Sequence, residues 1–410
     1  MRSYGYPKAL LQMEIEYADG SPATVVTDDT WKLTTNGPIR ANNEYDGEEY
    51  DARMEMPGWD RPGFHNADWE PAQVVGAPAG KLVAQMAEPI RVTGTLHPVK
   101  MTQLYPGVYI FDMGQNMVGW CRLRVAGAKG TRVRLRHAET LAPDGNLYVE
   151  NLRSAQATDL YTLKGGQTET YEPRFTYHGF RYVELTGYPG RPSLSTIEGR
   201  VVNDDMTQVA DFTSSNTLLN EIHHNILWGV RGNYRSIPTD CPQRDERQGW
   251  LGDRSQVSRS ESFLFDVAAF YSKWETDLAD AQKSSGSIPD VAPNYWSMYN
   301  DDVTWPSTFI FVPGMIYDEY GDRRVIERNY PAMKKWIEHM RSYLKEGIMP
   351  RDTYGDWCVP PESPALIHSQ DPARKTDGVL IGTAYYYKLL NLMARYAKLL
   401  GKDRDAADYT

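Results

Sequence analysis

The chain has 410 residues, 41% hydrophobic and 24% charged, enough to build two or three packed domains. Its net charge is −10 with no long basic run, which sets aside a phosphate-tracking groove for nucleic acid, and no apolar stretch approaches the length of about 18 residues that a membrane span needs. Cys121, Cys241 and Cys358 show no CxxC spacing, so neither a disulfide framework nor a cysteine-rich zinc site is expected, and each reads as a buried thiol.

The N-terminal segment carries charge inside its only apolar run and has no small-residue cleavage site. It does not read as a secretory signal, which favours a cytoplasmic location. Up to about residue 205 the pattern is that of strands. Leu11, Met13, Ile15 and Tyr17 alternate with Gln12, Glu14 and Glu16, and Asp19-Gly20 closes the run as a turn. Val133 and Leu135 alternate with Arg132, Arg134 and Arg136, and Tyr177 to Leu185 is β-prone. Further turns are marked at Asp46-Gly47, Asp144-Gly145 and Gly165-Gly166. Two β-sandwich modules are expected, 1–80 and 81–205, with a seam in the small, proline-containing stretch 76–90.

From residue 206 the period becomes helical. Leu218, Leu219, Ile222, Ile226, Leu227 and Val230 follow a Ser214-Ser215-Asn216 cap signal, and Asp266 can cap a helix carrying Ala269, Phe270, Trp274 and Leu278. Long stripes run from Val325 to Leu344 and from Val379 to Ala397, ended by Gly347 and Gly401. The stripes are broad, which predicts helices packed on two sides in an α/α array.

Aromatic residues make up 12% of the chain, a load that suits carbohydrate or other flat ligands as well as large cores. The segment Thr239 to Asp253 concentrates chemistry: four carboxylates besides Arg244, Arg247 and Trp250, shaped by Pro242, Gly249 and Gly252. Arginine beside acids can hold carboxylates in fixed geometry, and an indole offers a flat face to a sugar ring. Asn300 to Pro306 and Tyr354 to Pro361 repeat the pairing of acid and tryptophan in inter-helix loops. One such tryptophan is more often core than ligand; three in the same structural role reverse that preference. Glycosidic cleavage needs one carboxyl as acid and a second acting at the anomeric carbon or its water. Glu246 is the candidate acid. Asp240, Asp245 and Asp253 on one side and Arg244 and Arg247 on the other pull its proton affinity in opposite directions.

Other chemistries fit less well. GxSxG, HExxH and Walker A sequences are absent. His223 and His224 are adjacent on a helix and cannot share a face, and His65, His97, His137, His178, His339 and His368 show no metal-ligand spacing, so neither metal nor cofactor is expected. Asp112 to Asn116, followed by Gly119-Trp120, reads as a polar turn serving a hairpin or a domain contact.

The run from Asp240 through Glu246 to Asp253 (DCPQRDERQGWLGD) resembles the signature of the inverting α-L-rhamnosidases of glycoside hydrolase family 78. The resemblance extends to Tyr45–Arg53, Phe111–Asn116, Arg174–Tyr182 and the loops of Trp305 and Trp357. It implies hydrolysis of terminal α-L-rhamnosyl bonds with inversion, on a multidomain β + α fold. A partial, jelly-roll-like β-sandwich and a second β-sandwich would precede the N-terminal half of an (α/α)6 toroid over 206–410. Glu246 would be the general acid. Asp240, Arg244 and Asp253 would bind rhamnose hydroxyls, and Trp250, Trp305 and Trp357 would wall the pocket. The partners implied are rhamnose-containing glycosides or oligosaccharides. The general-base glutamate and a pocket histidine of the family match no residue here and are expected beyond the chain end. Glu362, after the Trp357 loop, has no such role in the family. Half-toroid faces left open would favour self-association into a homo-oligomer. Two alternatives stand beside this one: a catalytically inactive rhamnose-binding remnant, and a six-hairpin glycosidase for another sugar.

Overall fold

The computed structural model describes residues 7–410; Met1–Tyr6, which open the expected first module, lie outside the described residues. The first alternating run forms strand Gln12–Glu16, paired antiparallel with Pro22–Val26 across the Asp19-Gly20 turn. Its apolar residues were expected to face a core. Instead Leu11, Met13 and Tyr17 stand exposed and only Ile15 is half-buried.

Ten strands form one large sheet, in which the order is 39–43, 47–51, 158–162, 132–138, 178–186, 108–125, 197–204 and 90–96, with 100–105 and 169–171 also pairing to 108–125. All pairings are antiparallel except that of Leu160–Thr162 with Glu49–Asp51. The two strands at 39–51 lie before residue 80, so the sheet reaches back across the expected division. The strand Val108–Val125 is long enough to serve two sets of neighbours. Its first half pairs with Lys100–Tyr105 and Tyr182–Thr186, and its second half with His178–Phe180, Glu169–Tyr171 and Ile197–Val201. The period of two puts Tyr109, Phe111 and Met113 into the main β core with Leu123, Val133, Leu135, Phe180 and Val183, while Ile110 packs on the other face with Ala138 and Leu147. Asp112 to Asn116 lies inside this strand rather than at a hairpin. Asp112 accepts two bonds from Arg181, and Gln115 meets His224 at 2.8 Å, which makes the segment a domain contact.

Among the described residues eight α-helices follow: α1 Thr217–Gly232, α2 Gly252–Ser255, α3 Ser258–Ser262, α4 Ala268–Asp280, α5 Thr308–Tyr320, α6 Arg324–Arg341, α7 Gly378–Leu399 and α8 Asp403–Asp408. Asn216 caps α1 through the amides of Leu218 and Leu219, where the cap signal placed it. Val267 rather than Asp266 is the N-cap of α4, although the Asp266 carboxylate accepts from the Ala268 amide at 3.3 Å. One core joins Phe270 and Trp274 of α4, Phe309 and Ile316 of α5, Tyr330, Met333 and Trp336 of α6, and Leu389, Met393 and Tyr396 of α7. The expected two-sided packing holds for α5, which buries Thr308 to Ile310 and Val312 to Ile316. It fails for α1, where Leu218, Leu219, Ile222 and Ile226 are exposed, and for the side of α7 carrying Leu380 and Tyr387. Cys121 and Cys241 are buried thiols as expected; Cys358 is exposed, because its loop runs over the surface. No described helix is long and apolar enough to cross a membrane.

Glu275 of α4 is fully buried, and neither carboxylate oxygen has a hydrogen-bond partner among the described residues. Burial therefore pushes its pKa well above the ordinary 4.5, with Arg328 opposing weakly. The folded state keeps this proton while the unfolded chain releases it, so stability falls as pH rises past the unfolded value. Glu275→Gln removes the titration. Its melting temperature should gain on the parent's by several degrees between pH 5 and pH 8, at about 2–4 °C per kcal/mol. Parallel melting curves across that range would contradict the burial of a neutral acid.

Candidate active site

The loop between α1 and α2 holds its shape through bonds within itself. Asp240 and Gln248 close it, the Asp240 amide donating to the Gln248 carbonyl at 2.9 Å and the Gln248 amide to Asp240 Oδ1 at 2.6 Å. Between them Arg247 takes φ 52, a left-handed conformation uncommon for a side chain of its size. Its guanidinium is buried and donates to four carbonyls. Gln243 and Arg244 are on its own loop; Glu44 and Tyr177, each at 2.8 Å, are in the β region. The rings of Tyr45 and Tyr177 flank it. Gly179 makes this docking close: a Cβ there would stand 3.0 Å from Gln243 Cβ and 3.1 Å from Pro242 Cγ.

The nearly buried carboxylate of Glu246 receives three donors. Oε2 accepts from Arg244 Nε at 2.8 Å and Arg153 Nη1 at 2.9 Å, and Oε1 from Trp250 Nε1 at 3.0 Å. Arg244 also reaches Asp240 Oδ2 at 3.2 Å. The Asp240 pKa is pushed up to about 6, chiefly by burial and further by the charge of Glu246, with the bonds from Cys241 and Gln248 opposing. Asp253, in the first turn of α2, is exposed at its tip. The crowding around it still raises its pKa by desolvation, against the pull of Arg254. Arg254 itself is buried, paired with Glu261 at 2.7 Å, and donates to the Thr239 carbonyl, which pins the start of the loop.

Trp250 meets Trp296 and Tyr354 edge-on, and Trp305 stacks on Tyr354 with centroids 4.5 Å apart. Asp240, Arg244, Glu246 and Trp250 are thus in direct contact, Asp253 lies within electrostatic range of Glu246, and Trp305 joins through Tyr354. Trp357 is exposed; its ring lies edge-on to His368 and its amide donates to the Tyr354 carbonyl.

Several participants escape a reading of the sequence. Arg153 and Ser154 come from the β region, where Ser154 donates to Asp245; Tyr45, which opens a segment that carries the family resemblance, donates to the Glu246 carbonyl at 3.2 Å. No local pattern marks Arg153, which lies 93 positions from its partner. Asp352 ties the two other loops together by accepting from the amides of Val303, Thr304 and Gly355 and from the Thr304 hydroxyl. Asp290 is buried, accepts from the Tyr354 hydroxyl at 3.0 Å, and has its pKa pushed up to about 6, mainly by burial. Glu362 holds its own loop: Ser369 and the amides of Gln370 and Asp371 bond to it, and these bonds, that of Ser369 first, pull its pKa down to about 2.

Two groups among the described residues have ligand atoms close enough to share a metal ion: Asp240, Cys241 and Glu246, and the buried His137, Asp159 and His178. In the first, the guanidiniums of Arg153 and Arg244 already hold Glu246, an arrangement that repels a further cation. The second joins histidines that are far apart in sequence. His178 meets Asp159 at 3.1 Å, the two rings stack at 4.3 Å, and the His137 pKa falls to about 3, burial being the main cause, so the trio knits adjacent strands. Beside the loop, a groove of about 830 Å³ is lined by Tyr45, Trp120, Phe175, Arg235, Arg247 and Tyr295.

Three family models match the chain: an alpha-L-rhamnosidase N-terminal domain over residues 2–94, a bacterial alpha-L-rhamnosidase concanavalin-like domain over 102–203, and a bacterial alpha-L-rhamnosidase 6 hairpin glycosidase domain over 207–410. An alpha-L-rhamnosidase of Streptomyces avermitilis is 44% identical over 412 residues, covering 99% of this chain and 38% of the relative. The structure of alpha-L-rhamnosidase from Dictyoglumus thermophilum superposes with a TM-score of 0.94 at 44% identity, over 99% of this chain and 45% of that one. The Streptomyces avermitilis enzyme complexed with L-rhamnose gives 0.91 at 43% identity, over 98% and 38%. The chain therefore spans about two fifths of the length of these relatives.

Gly252 marks the tightest contact in the aromatic wall, since a Cβ there would lie 2.1 Å from Trp305 Cε2. Gly252→Ala should push the indole off Tyr354, cost about 1–3 kcal/mol in overpacking, and change the tryptophan fluorescence. An unchanged spectrum and melting temperature would contradict the stacked wall.

Proposed function

The chain belongs to the bacterial α-L-rhamnosidases, and on that footing we propose that it binds terminal α-L-rhamnosyl groups of glycosides or oligosaccharides and cleaves them with inversion, Glu246 acting as general acid. The observation that carries this reading is the Glu246 carboxylate, held by donors from Arg153, Arg244 and Trp250 beside a wall of indoles. A rhamnose ring would lay its C–H surface on Trp250 and Trp305, with Trp357 at the rim. Its hydroxyls would bond to Asp240, Arg244 and Asp253. Glu246 would then give its proton to the glycosidic oxygen as the bond to the anomeric carbon breaks. Inversion further requires a carboxylate that activates water on the opposite face of the sugar. Glu362 does not suit that part, because its oxygens are spent on its own loop and its low pKa makes it a weak base.

Release of nitrophenol from p-nitrophenyl α-L-rhamnoside tests the reading, with L-rhamnose binding measured alongside. Glu246→Gln should lower kcat by on the order of 10²–10⁴ and leave the rhamnose Kd within a few-fold. Rhamnose binding without turnover in the parent chain would favour a binding-only protein. Binding and turnover both unaltered in the variant would remove Glu246 from the acid role.

Asp240 supplies a pH signature. Its folded pKa of about 6 leaves it neutral below that pH, where it loses acceptor capacity toward sugar hydroxyls. Affinity for L-rhamnose, measured by calorimetry, should rise from pH 5 to pH 7. Asp240→Asn should bind weakly and without that slope; a slope that survives the substitution would assign the titration elsewhere.

A further inference from the structure

Arg153 belongs to none of the segments that mark the loop, and it arrives from the β region. It follows the 3-10 turn Glu150–Leu152 with φ 57 and ψ −115, a conformation unfavourable for a non-glycine residue that persists only where surrounding contacts enforce it. Those contacts lead to the loop. Arg153 Nη1 lies 2.9 Å from Glu246 Oε2, Ser154 bonds to Asp245, and the Ala157 amide bonds to the carbonyl of Tyr45, whose own hydroxyl holds the Glu246 main chain. The backbone outlier and the ion pair are therefore parts of one arrangement.

Arg244 and Arg153 differ in how much charge each brings to Glu246. Arg244 is divided between Glu246 and Asp240, whereas Arg153 has Glu246 as its sole ion-pair partner among the described residues. The Arg153 side chain is 54% exposed and Glu246 only 11%, so the guanidinium approaches from the open side of the cleft, partly screened by water. The other charges facing Glu246 are Asp240 on the loop and Asp253 on α2, both of which repel a negative charge there.

We propose that Arg153 is the positioning residue for proton transfer by Glu246. It fixes Oε2 from the β side and stabilises the negative charge left on the carboxyl when the proton moves to the glycosidic oxygen and the C–O electron pair goes with the leaving group. Charge present in the transition state and absent from the protonated ground state is what a preorganised cation stabilises selectively. The inference rests on the reading of Glu246 as the acid.

Two measurements on the full chain test it, on the parent and on Arg153→Gln, Arg153→Lys and Glu246→Gln. The first is binding, which needs no turnover, with two probes: L-rhamnose and a rhamnose analogue carrying an ammonium group in place of the glycosidic oxygen. Arg153→Gln should leave rhamnose affinity within about threefold and tighten the cationic analogue by about tenfold, one unit of charge having left its surroundings. Arg153→Lys should restore the parental ratio. Equal weakening of both probes would mean a structural part only and overturn the proposal. If the analogue binds Glu246→Gln as it binds the parent, the reading of Glu246 fails instead, and the two failures are distinguishable. The second measurement is turnover. Arg153→Gln should slow methyl α-L-rhamnoside by on the order of tenfold and barely affect the 2,4-dinitrophenyl glycoside, whose leaving group needs no proton. A uniform loss on both substrates would also overturn it.

Discussion

The Arg247 guanidinium is buried and, among the described residues, has no carboxylate partner, a placement that costs several kcal/mol unless its donors are satisfied. Four main-chain carbonyls and two tyrosine rings meet that requirement, and their origin organises the molecule. Two carbonyls lie on the loop itself and fix its reversal at φ 52; the other two belong to the β region and bring it against the loop. The loop's shape and the docking of sheet on helices are therefore one event. Glu246 inherits its place from both, since it precedes Arg247 and its carbonyl is held by Tyr45 and Gln248.

Around this junction the charges are interleaved rather than pooled. The chain carries an excess of acid, yet Arg153, Arg244 and Arg254 stand between Glu246, Asp240, Asp253 and Glu261. Burial raises the pKa of Asp240 and of Asp290 to about 6, so the pocket holds carboxyls able to change charge near neutrality. The aromatic wall is equally interdependent: Tyr354 touches Trp250, Trp305 and Asp290, and Asp352 binds the strip before it to the loop of Trp305. A pocket of alternating charge with fixed indoles suits a neutral polyol, which needs paired donors and acceptors and a flat apolar face.

What could be read in the sequence was mostly what depends on near neighbours. Asn216 caps α1 because its side chain reaches amides two and three positions on, and the stripe of α6 is buried because every third or fourth residue meets the same core. The long motif at 240–253 was legible because its chemistry is contiguous. Periodicity misleads where the described residues leave an apolar face exposed, as with much of the hairpin at 12–26 and the open side of α1. Contacts between distant segments leave no local pattern at all. Arg153 on Glu246, the stacking of His137 on His178, and Asp352 under Thr304 all join residues that only the fold brings together.

On the proposed function, the β region and the helical region together frame a rhamnose site around Glu246. A crystal structure of this chain with L-rhamnose tests it most directly. The sugar should lie against Trp250 and Trp305, with its hydroxyls on Asp240 and Arg244, the Glu246 carboxyl facing its anomeric oxygen and Arg153 still in contact with Oε2. Rhamnose bound elsewhere, or a Glu246 turned away from a sugar that does occupy the pocket, would contradict it.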